Sequence, residues 1–431
     1  MRKFAVQFLL RGGSMLFLPI SILWWLSQLI RHLNRLRCSD VAIIDPHMVH
    51  YGNGLATQDI ARRIFSGRRV IYALVWEPGS TQNFKIGSIW PDLDVILLRK
   101  PAISFSAFGK FFSFPGIGIL TPVLHWVTSV FFSTLVPKSS LMTMGEVRDS
   151  QPIPPNLAGF IPEDYGATKL VGVYIAVLWT AMMKSNQQIP KPTLSGRERE
   201  AIYARLKGIS GSRKLRLCML YNRSVDGTER SGSPVENYLP AIKLLIDHGY
   251  MILLIADQDL NEDQMASFNG LVVDAGRLGV DLDLFRLFAP TEADICIGDA
   301  GAGMLLPMIM GGPSLTLNFH SIGYATPSTW VYPKHVVDRS GAYVPYRRVI
   351  EEIPYGFYDT EKKQRDDWTA LTNSSEDILE ATKCFLEYLS GNEFSGVGDE
   401  FDPLIPQASL FASFGARISP AFIRRGSVGG F

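Results

Sequence analysis

Two stretches between Leu217 and Gly303, each an apolar run ending in a turn ahead of a helix, constrain this chain most. The first takes Leu215, Leu217, Met219 and Tyr221 into the polar turn Asn222-Arg223-Ser224, with a helical pattern from Val235 to Leu245 beyond it. The second takes Ala293 to Ile297 into Gly298-Asp299-Ala300-Gly301-Ala302-Gly303 and an apolar helix opening at Met304. Between them, Tyr250 to Ile255 reads as a strand ending at Asp257. Strand, Gly-rich turn and helix start together aim backbone N–H groups and a positive helix end at one point. A diphosphate suits that point.

A second β-α-β series precedes it. Val41–Ile44 reads as a strand, 46–54 as a loop and Leu55–Phe65 as a helix, with strands at Val70–Val75 and Val95–Leu98. The chain has 431 residues, too many for one ordinary α/β layer and suited to two domains. The expected class is α/β with two Rossmann-like domains, 38–185 and 196–389, joined by the proline-bearing linker 186–195. A segment 1–37 precedes them, and 390–431 reads as an irregular tail rich in Gly, Ser and acids.

Formal net charge is +1 and the basic residues are scattered, which argues against a nucleic-acid partner. Four cysteines, Cys38, Cys218, Cys296 and Cys384, lie far apart without a C-x-x-C pair, so neither zinc nor disulfides are expected. His47 and His50 are close in sequence but lack a neighbouring Cys to complete a metal site. Asp92-Leu93-Asp94 has the letters of a D-x-D metal motif, yet it stands at a strand entry beside Trp90 and Pro91.

Ser14 to Ile30 is an apolar run holding Trp24 and Trp25, flanked by Arg2, Lys3 and Arg11 on one side and Arg31, Arg35 and Arg37 on the other. It sits at the bottom of the length range for spanning a bilayer. A spanning anchor, an in-plane interfacial helix and a signal peptide compete. The last lacks a small-residue cleavage site, so a membrane-anchor helix is expected in 1–37. Phe105 to Val136 is a second apolar tract, broken by Pro115, Pro122 and several glycines; it reads as a buried helix pair or as a patch that meets the bilayer or a lipid-linked acceptor. Leu170 to Met183 reads as core.

The segments Asn222-Arg223-Ser224, Glu236-Asn237-Tyr238-Leu239-Pro240-Ala241-Ile242, His248-Gly249-Tyr250 and Asn318-Phe319-His320-Ser321-Ile322-Gly323 stand in a recognisable order. In them the chain resembles a family of bacterial surface-polysaccharide glycosyltransferases whose C-terminal halves look like GT-B donor domains. The resemblance covers most of 200–345. It implies a GT-B-like fold, a nucleotide-sugar donor as co-substrate with no resident cofactor, and a lipid-linked or surface-glycan acceptor. It also implies a place on the cytoplasmic face of a bacterial inner membrane. Relatives typically carry an Arg after the second strand and hydroxyl residues in the Gly-rich turn. Here Ala256-Asp257 and Asp299-Ala300 stand instead, which keeps open an inactive scaffold, and a sugar-nucleotide epimerase on the same architecture is a further alternative.

Donor-site candidates follow. Arg223 can take two phosphate oxygens with its planar fork, with Ser224 beside it; an ion pair with Asp226 or Glu229 is the plainer alternative. Gly298, Gly301 and Gly303 form the phosphate turn. Asp299 is expected to cap its helix or meet a donor hydroxyl, and Asn237 to satisfy helix N–H groups or orient the Arg223 turn. Asp257, Asn318 and His320 end neighbouring strands on the same side. In the first domain His50 leads as general base for an inverting transfer, with His47, Asp45 and Glu77 behind it. No divalent metal is expected, since Arg and helix ends can neutralise a leaving diphosphate.

Overall fold

In the computed structural model, Val41–Ile44 and Val70–Val75 are buried throughout, as parallel strands covered on both faces require. The structure describes residues 18–45, 51–76, 84–99, 102–107, 110–115, 120–136, 140–143, 146–147, 189–211, 216–225, 231–319, 329–352, 368–391 and 417–426. They fall into two units, one reaching from the N-terminal side to 152 and the other containing everything described from 191 onward.

The first unit contains helices α1 (Leu18–Arg31) and α2 (Leu33–Arg37), strand β1 (Val41–Asp45), helix α3 (Tyr51–Ile64), and strands β2 (Val70–Trp76) and β3 (Leu93–Arg99). A hairpin of β4 (Ala102–Ala107) and β5 (Lys110–Pro115) follows, then α4 (Leu120–Leu135) and β6 (Ser140–Thr143). Its main sheet has the order β3-β2-β1-β6, all parallel. The tract from Phe105 is therefore not a helix pair. Its first part alternates Ser and Phe with the period of a strand and pairs Phe105 with Phe112 in an antiparallel register.

Helix α1 is built into this unit. Trp25 and Leu29 are buried in one cluster with Ile71, Val75, Leu98 and Phe131. Trp25 Nε1 donates to Thr128 Oγ1 at 2.9 Å. Gln28 donates to the Arg99 carbonyl at 2.9 Å and accepts the Arg99 N–H at 2.8 Å, closing the end of β3. Helix α1 is thus packed into the first unit, which does not by itself show an anchor. Among the described residues no helix is long and apolar enough to cross a membrane.

The second unit contains α5 (Gly196–Ser210), β7 (Arg216–Asn222), α6 (Leu239–Asp247), β8 (Tyr250–Ala256), β9 (Val272–Val273), α7 (Leu282–Glu292), β10 (Ile295–Asp299), α8 (Leu305–Met310), β11 (Ser314–Phe319) and β12 (Thr329–Pro333). A small antiparallel pair, β13 (His335–Val337) and β14 (Thr369–Leu371), precedes α9 (Ser375–Leu389), and β15 (Arg417–Ile418) and α10 (Pro420–Gly426) complete it. The main sheet is parallel in the order β15-β12-β11-β10-β7-β8-β9. Counting its strands along the chain, this is 3-2-1-4-5-6 with one further strand, the doubly wound order of dinucleotide-binding sheets. The first unit repeats its opening as 3-2-1-4.

Two expectations shift here. The helical pattern Val235–Leu245 divides into a 3₁₀ turn, Val235–Tyr238, and α6, because Pro240 is tolerated only in a helix's first turn. The segment after 390 is not wholly irregular: β15 extends the sheet edge beside β12, and Ala421 and Phe422 of α10 enter the core. A two-residue strand leaves no periodicity to read.

Candidate functional site

In a doubly wound sheet the ligand crevice opens at the carboxyl ends of the strands where chain progression reverses. In the second unit that place is between β7 and β10. Strand β7 delivers Tyr221 and Arg223, and β10 delivers the turn Gly298 to Gly303.

The three glycines of the turn have different duties. A Cβ at Gly298 would lie 2.4 Å from the Tyr221 carbonyl oxygen, so glycine lets β10 close on β7. A Cβ at Gly303 would lie 2.6 Å from carbons of the Tyr221 ring. Gly301 is extended, and a side chain there would project to 3.6 Å from Arg223 Nη1 and 3.5 Å from the Tyr221 hydroxyl. Gly301 therefore leaves the space between guanidinium and phenol open. Among the described residues the N–H groups of Gly301, Ala302 and Gly303 have no hydrogen-bond partner. Donors without partners, one of them at a glycine beside a guanidinium, are groups that can hold an anion through their partial charges. The expected helix dipole contributes less, since a 3₁₀ turn, Ala302–Met304, and the six-residue α8 stand there.

Gly303→Ala tests the packing half of this account. Pushing the Tyr221 ring aside is expected to cost about 1–3 kcal/mol of stability in urea unfolding. A variant as stable as wild type would show that the ring moves freely.

Asp299 neither caps a helix nor faces outward. It is 1% exposed, and its carboxylate accepts from the Tyr238 hydroxyl at 2.5 Å, Asn318 Nδ2 at 2.5 Å, the Arg223 N–H at 2.8 Å and Asn222 Nδ2 at 3.2 Å. Burial raises its pKa, and the donors pull against that rise. An acid that looked like a repellent for phosphate is thus turned inward, where it ties the main chain of Arg223 to β10. A Cβ at Gly232 would strike its Oδ2 at 2.5 Å, which explains that glycine.

Asn318 is likewise internal. It has φ 50°, a left-handed conformation that Asn tolerates better than most residues. Its N–H donates to Asn373 Oδ1 at 2.5 Å, its Oδ1 accepts the Asn373 N–H at 2.7 Å, and its Nδ2 also reaches Ser233 Oγ at 2.9 Å. Asn237 makes no helix cap; its Nδ2 reaches the Asn373 carbonyl at 3.3 Å. The Arg223 turn is instead oriented by Gln258, whose Nε2 donates to the Arg223 carbonyl at 2.8 Å.

Ser224 and Asp257 meet: the Ser224 N–H points to Asp257 Oδ2 at 3.3 Å. Arg286 of α7 lies 3.9 Å from Asp257, so the acid after the second strand is offset by a cation from another element. Tyr221, set among Arg223, Asp257, Asp299 and Arg286, has its pKa pushed up to about 12 by burial and then by Asp257. It remains a neutral O–H donor at physiological pH.

The remaining candidates are dispersed. Asp45 is the last residue of β1 in the first unit. His47, His50, Glu77, His320, Asp226 and Glu229, with Leu170–Met183, lie outside the described residues. Asp92 and Asp94 are held by arginines: Arg62 Nε donates to Asp92 at 2.7 Å, and Arg35 pairs with Asp94. A hollow of about 850 Å³ beside them, lined by Arg35, Arg62, Arg69 and both aspartates, sits at the amino ends of β2 and β3. Ligand crevices of such sheets form at the other end.

Sequence reasoning missed Tyr221, Tyr238, Ser233, Gln258, Arg286 and Asn373. Tyr238 could have been found, since it sits in the segment that carries the family resemblance. Asn373 joins the network from 55 residues beyond Asn318, and no spacing announces it.

Among solved structures the chain is similar to a glycosyl transferase family 9 protein from Veillonella parvula DSM 2008, at 10% identity over 82% of this chain and 99% of that one, with a TM-score of 0.40. It is also similar to E. coli ADP-heptose lps heptosyltransferase II, at 16% identity over 68% and 89% with a TM-score of 0.39. A third is an E. coli heptosyltransferase with ADP-2-deoxy-2-fluoro heptose, at 13% identity over 67% and 92% with a TM-score of 0.34. No family model and no curated protein matches the chain. The structural neighbours are glycosyltransferases, at scores too low to bear on mechanism; the doubly wound fold rests on the strand order itself.

Proposed function

We propose that the chain is a nucleotide-sugar-dependent glycosyltransferase of GT-B type whose second unit holds the donor diphosphate at the ends of β7 and β10. One observation carries the reading: the turn Gly301-Ala302-Gly303, whose N–H groups have no partner among the described residues, opens beside the Arg223 guanidinium at Gly301, at the switch point of a doubly wound sheet. These groups and the Tyr221 hydroxyl can neutralise a diphosphate as it leaves, which lowers the barrier to transfer without a resident cofactor or divalent metal. His50, which follows β1 in the sequence, is the base we assign for the acceptor hydroxyl, with a lipid-linked or surface-glycan acceptor at the cytoplasmic face of a bacterial inner membrane.

The two acids do not argue for the inactive-scaffold alternative. Asp299 is internal and Asp257 is offset by Arg286, so neither presents an uncompensated charge to the phosphate site.

Thermal-shift screening of nucleoside diphosphates and their sugar derivatives tests the reading. A ligand at a hundred times its dissociation constant adds about 2.7 kcal/mol to the folded state, a rise of several degrees. Stabilisation by nucleoside diphosphates together with release of free nucleotide from one sugar derivative is expected. Stabilisation without turnover against any acceptor would favour a scaffold, and a product that keeps its nucleotide would favour an epimerase.

A further inference from the structure

Helix α1 carries a second apolar face besides the one it buries in the core. Its polar side chains Ser21 and Gln28 are buried, while Ile20, Leu23, Trp24 and Ile30 are 61%, 67%, 44% and 57% exposed. Those four recur at helical spacing and form one outward stripe. Helix α4, which meets α1 through the bond from Trp25 to Thr128, has its own outward stripe with Trp126 at 65% and Val130 at 46%. Other exposed apolar residues, such as Ile209, Leu282 and Leu371, lie on separate elements of the second unit. Scattered single residues are ordinary on a protein surface; two adjacent stripes are not.

We propose that α1 and α4 together form an in-plane docking face for an anionic phospholipid bilayer. The charge pattern selects that occupant. No acidic residue occurs in α1, α2 or α4, whereas Arg31 and Arg37 stand where α1 and α2 end, with Arg35 between them held by Asp94. Arg37 Nε donates to the Leu135 carbonyl at 3.2 Å, which brings this basic rim to the end of α4 as well. Anionic headgroups attract such a rim, and indole rings settle at the headgroup level. The helix lies on the membrane and does not span it. Its Trp25 and Leu29 face is occupied by the domain core. The inference stands without the donor site, since it concerns the first unit alone.

Sedimentation of the full chain with phosphatidylcholine vesicles, with and without phosphatidylglycerol, tests it in the absence of nucleotide. Wild type is expected to sediment with the mixed vesicles and less with the neutral ones. Leu23→Glu with Trp126→Glu should lower the apparent partition about tenfold or more, from lost apolar burial. Leu282→Glu, at an exposed position of the second unit, should leave it unchanged, and melting curves should show all three forms folded. Wild-type sedimentation by the double variant would overturn the proposal. So would absence of vesicle binding by wild type, or a wild-type dimer that the double variant dissociates while vesicle binding persists, which would make a second copy the occupant.

Discussion

Asp299→Ala is expected to destabilise the second unit by about 4 kcal/mol, the largest single-residue effect the structure implies. The carboxylate accepts from four donors that belong to β7, the turn after it, the 3₁₀ turn before α6, and β11. Three of them are buried with it, and the Arg223 N–H is half-buried. Removing the acceptor takes a partner from each of them, although the Asn222 and Asn318 amides keep acceptors on Ser233; the cost is about 1–3 kcal/mol for each buried group that finds no substitute, and relaxation or an entering water recovers part of the loss. For a domain of this size the melting temperature should fall by about 8–16 °C. Asp299→Asn keeps the shape and one acceptor but turns an NH₂ toward a donor, so it should fall between the alanine variant and wild type. Urea unfolding of the three proteins checks the order; an alanine variant within about 1 kcal/mol of wild type would mean that the network is ornamental to folding.

Arg223→Ala is expected to weaken nucleoside-diphosphate affinity about ten- to a hundredfold while leaving stability nearly unchanged. The Arg223 main chain is fixed by Asp299 and Gln258, and alanine keeps those bonds. What it loses is the guanidinium, which has no carboxylate partner among the described residues and stands over Gly301. A charge-assisted contact to phosphate contributes about 1.5–3 kcal/mol. Arg223→Lys should recover only part of it, because an ammonium cannot grip two oxygens in a plane. Calorimetric titration with a nucleoside diphosphate separates the cases. A large loss of affinity with an unchanged melting curve is the signature of a ligand contact, and equal losses of both would point to a structural role.

The two features most legible in the sequence were the ones that repeat. Buried parallel strands such as Val41–Ile44 and Tyr250–Ile255 are unbroken apolar runs, and the turn after β10 is marked by its glycines. What the sequence hid was the direction in which side chains point. Asp299, Asn237 and Asn318 end strands or begin turns where donor contacts are expected, yet the first two elements and β11 converge so that all three side chains bond inward or to Asn373. Their polarity signals a buried network as readily as a ligand. Helix α1 was legible only in part for the same reason. Its apolar run suggested a membrane anchor, and period alone cannot tell that Trp25 and Leu29 face a core while Leu23 and Trp24 face outward.

The most direct test of the account is a crystal structure of the chain with a nucleoside diphosphate or a non-reactive nucleotide sugar. The account predicts diphosphate oxygens within hydrogen-bond reach of the Arg223 guanidinium and of the N–H groups of Gly301 and Ala302, with Asp299 still bound to Tyr238 and Asn318. A diphosphate bound elsewhere, or held at this end of the sheet with Arg223 turned away from it, would contradict the account.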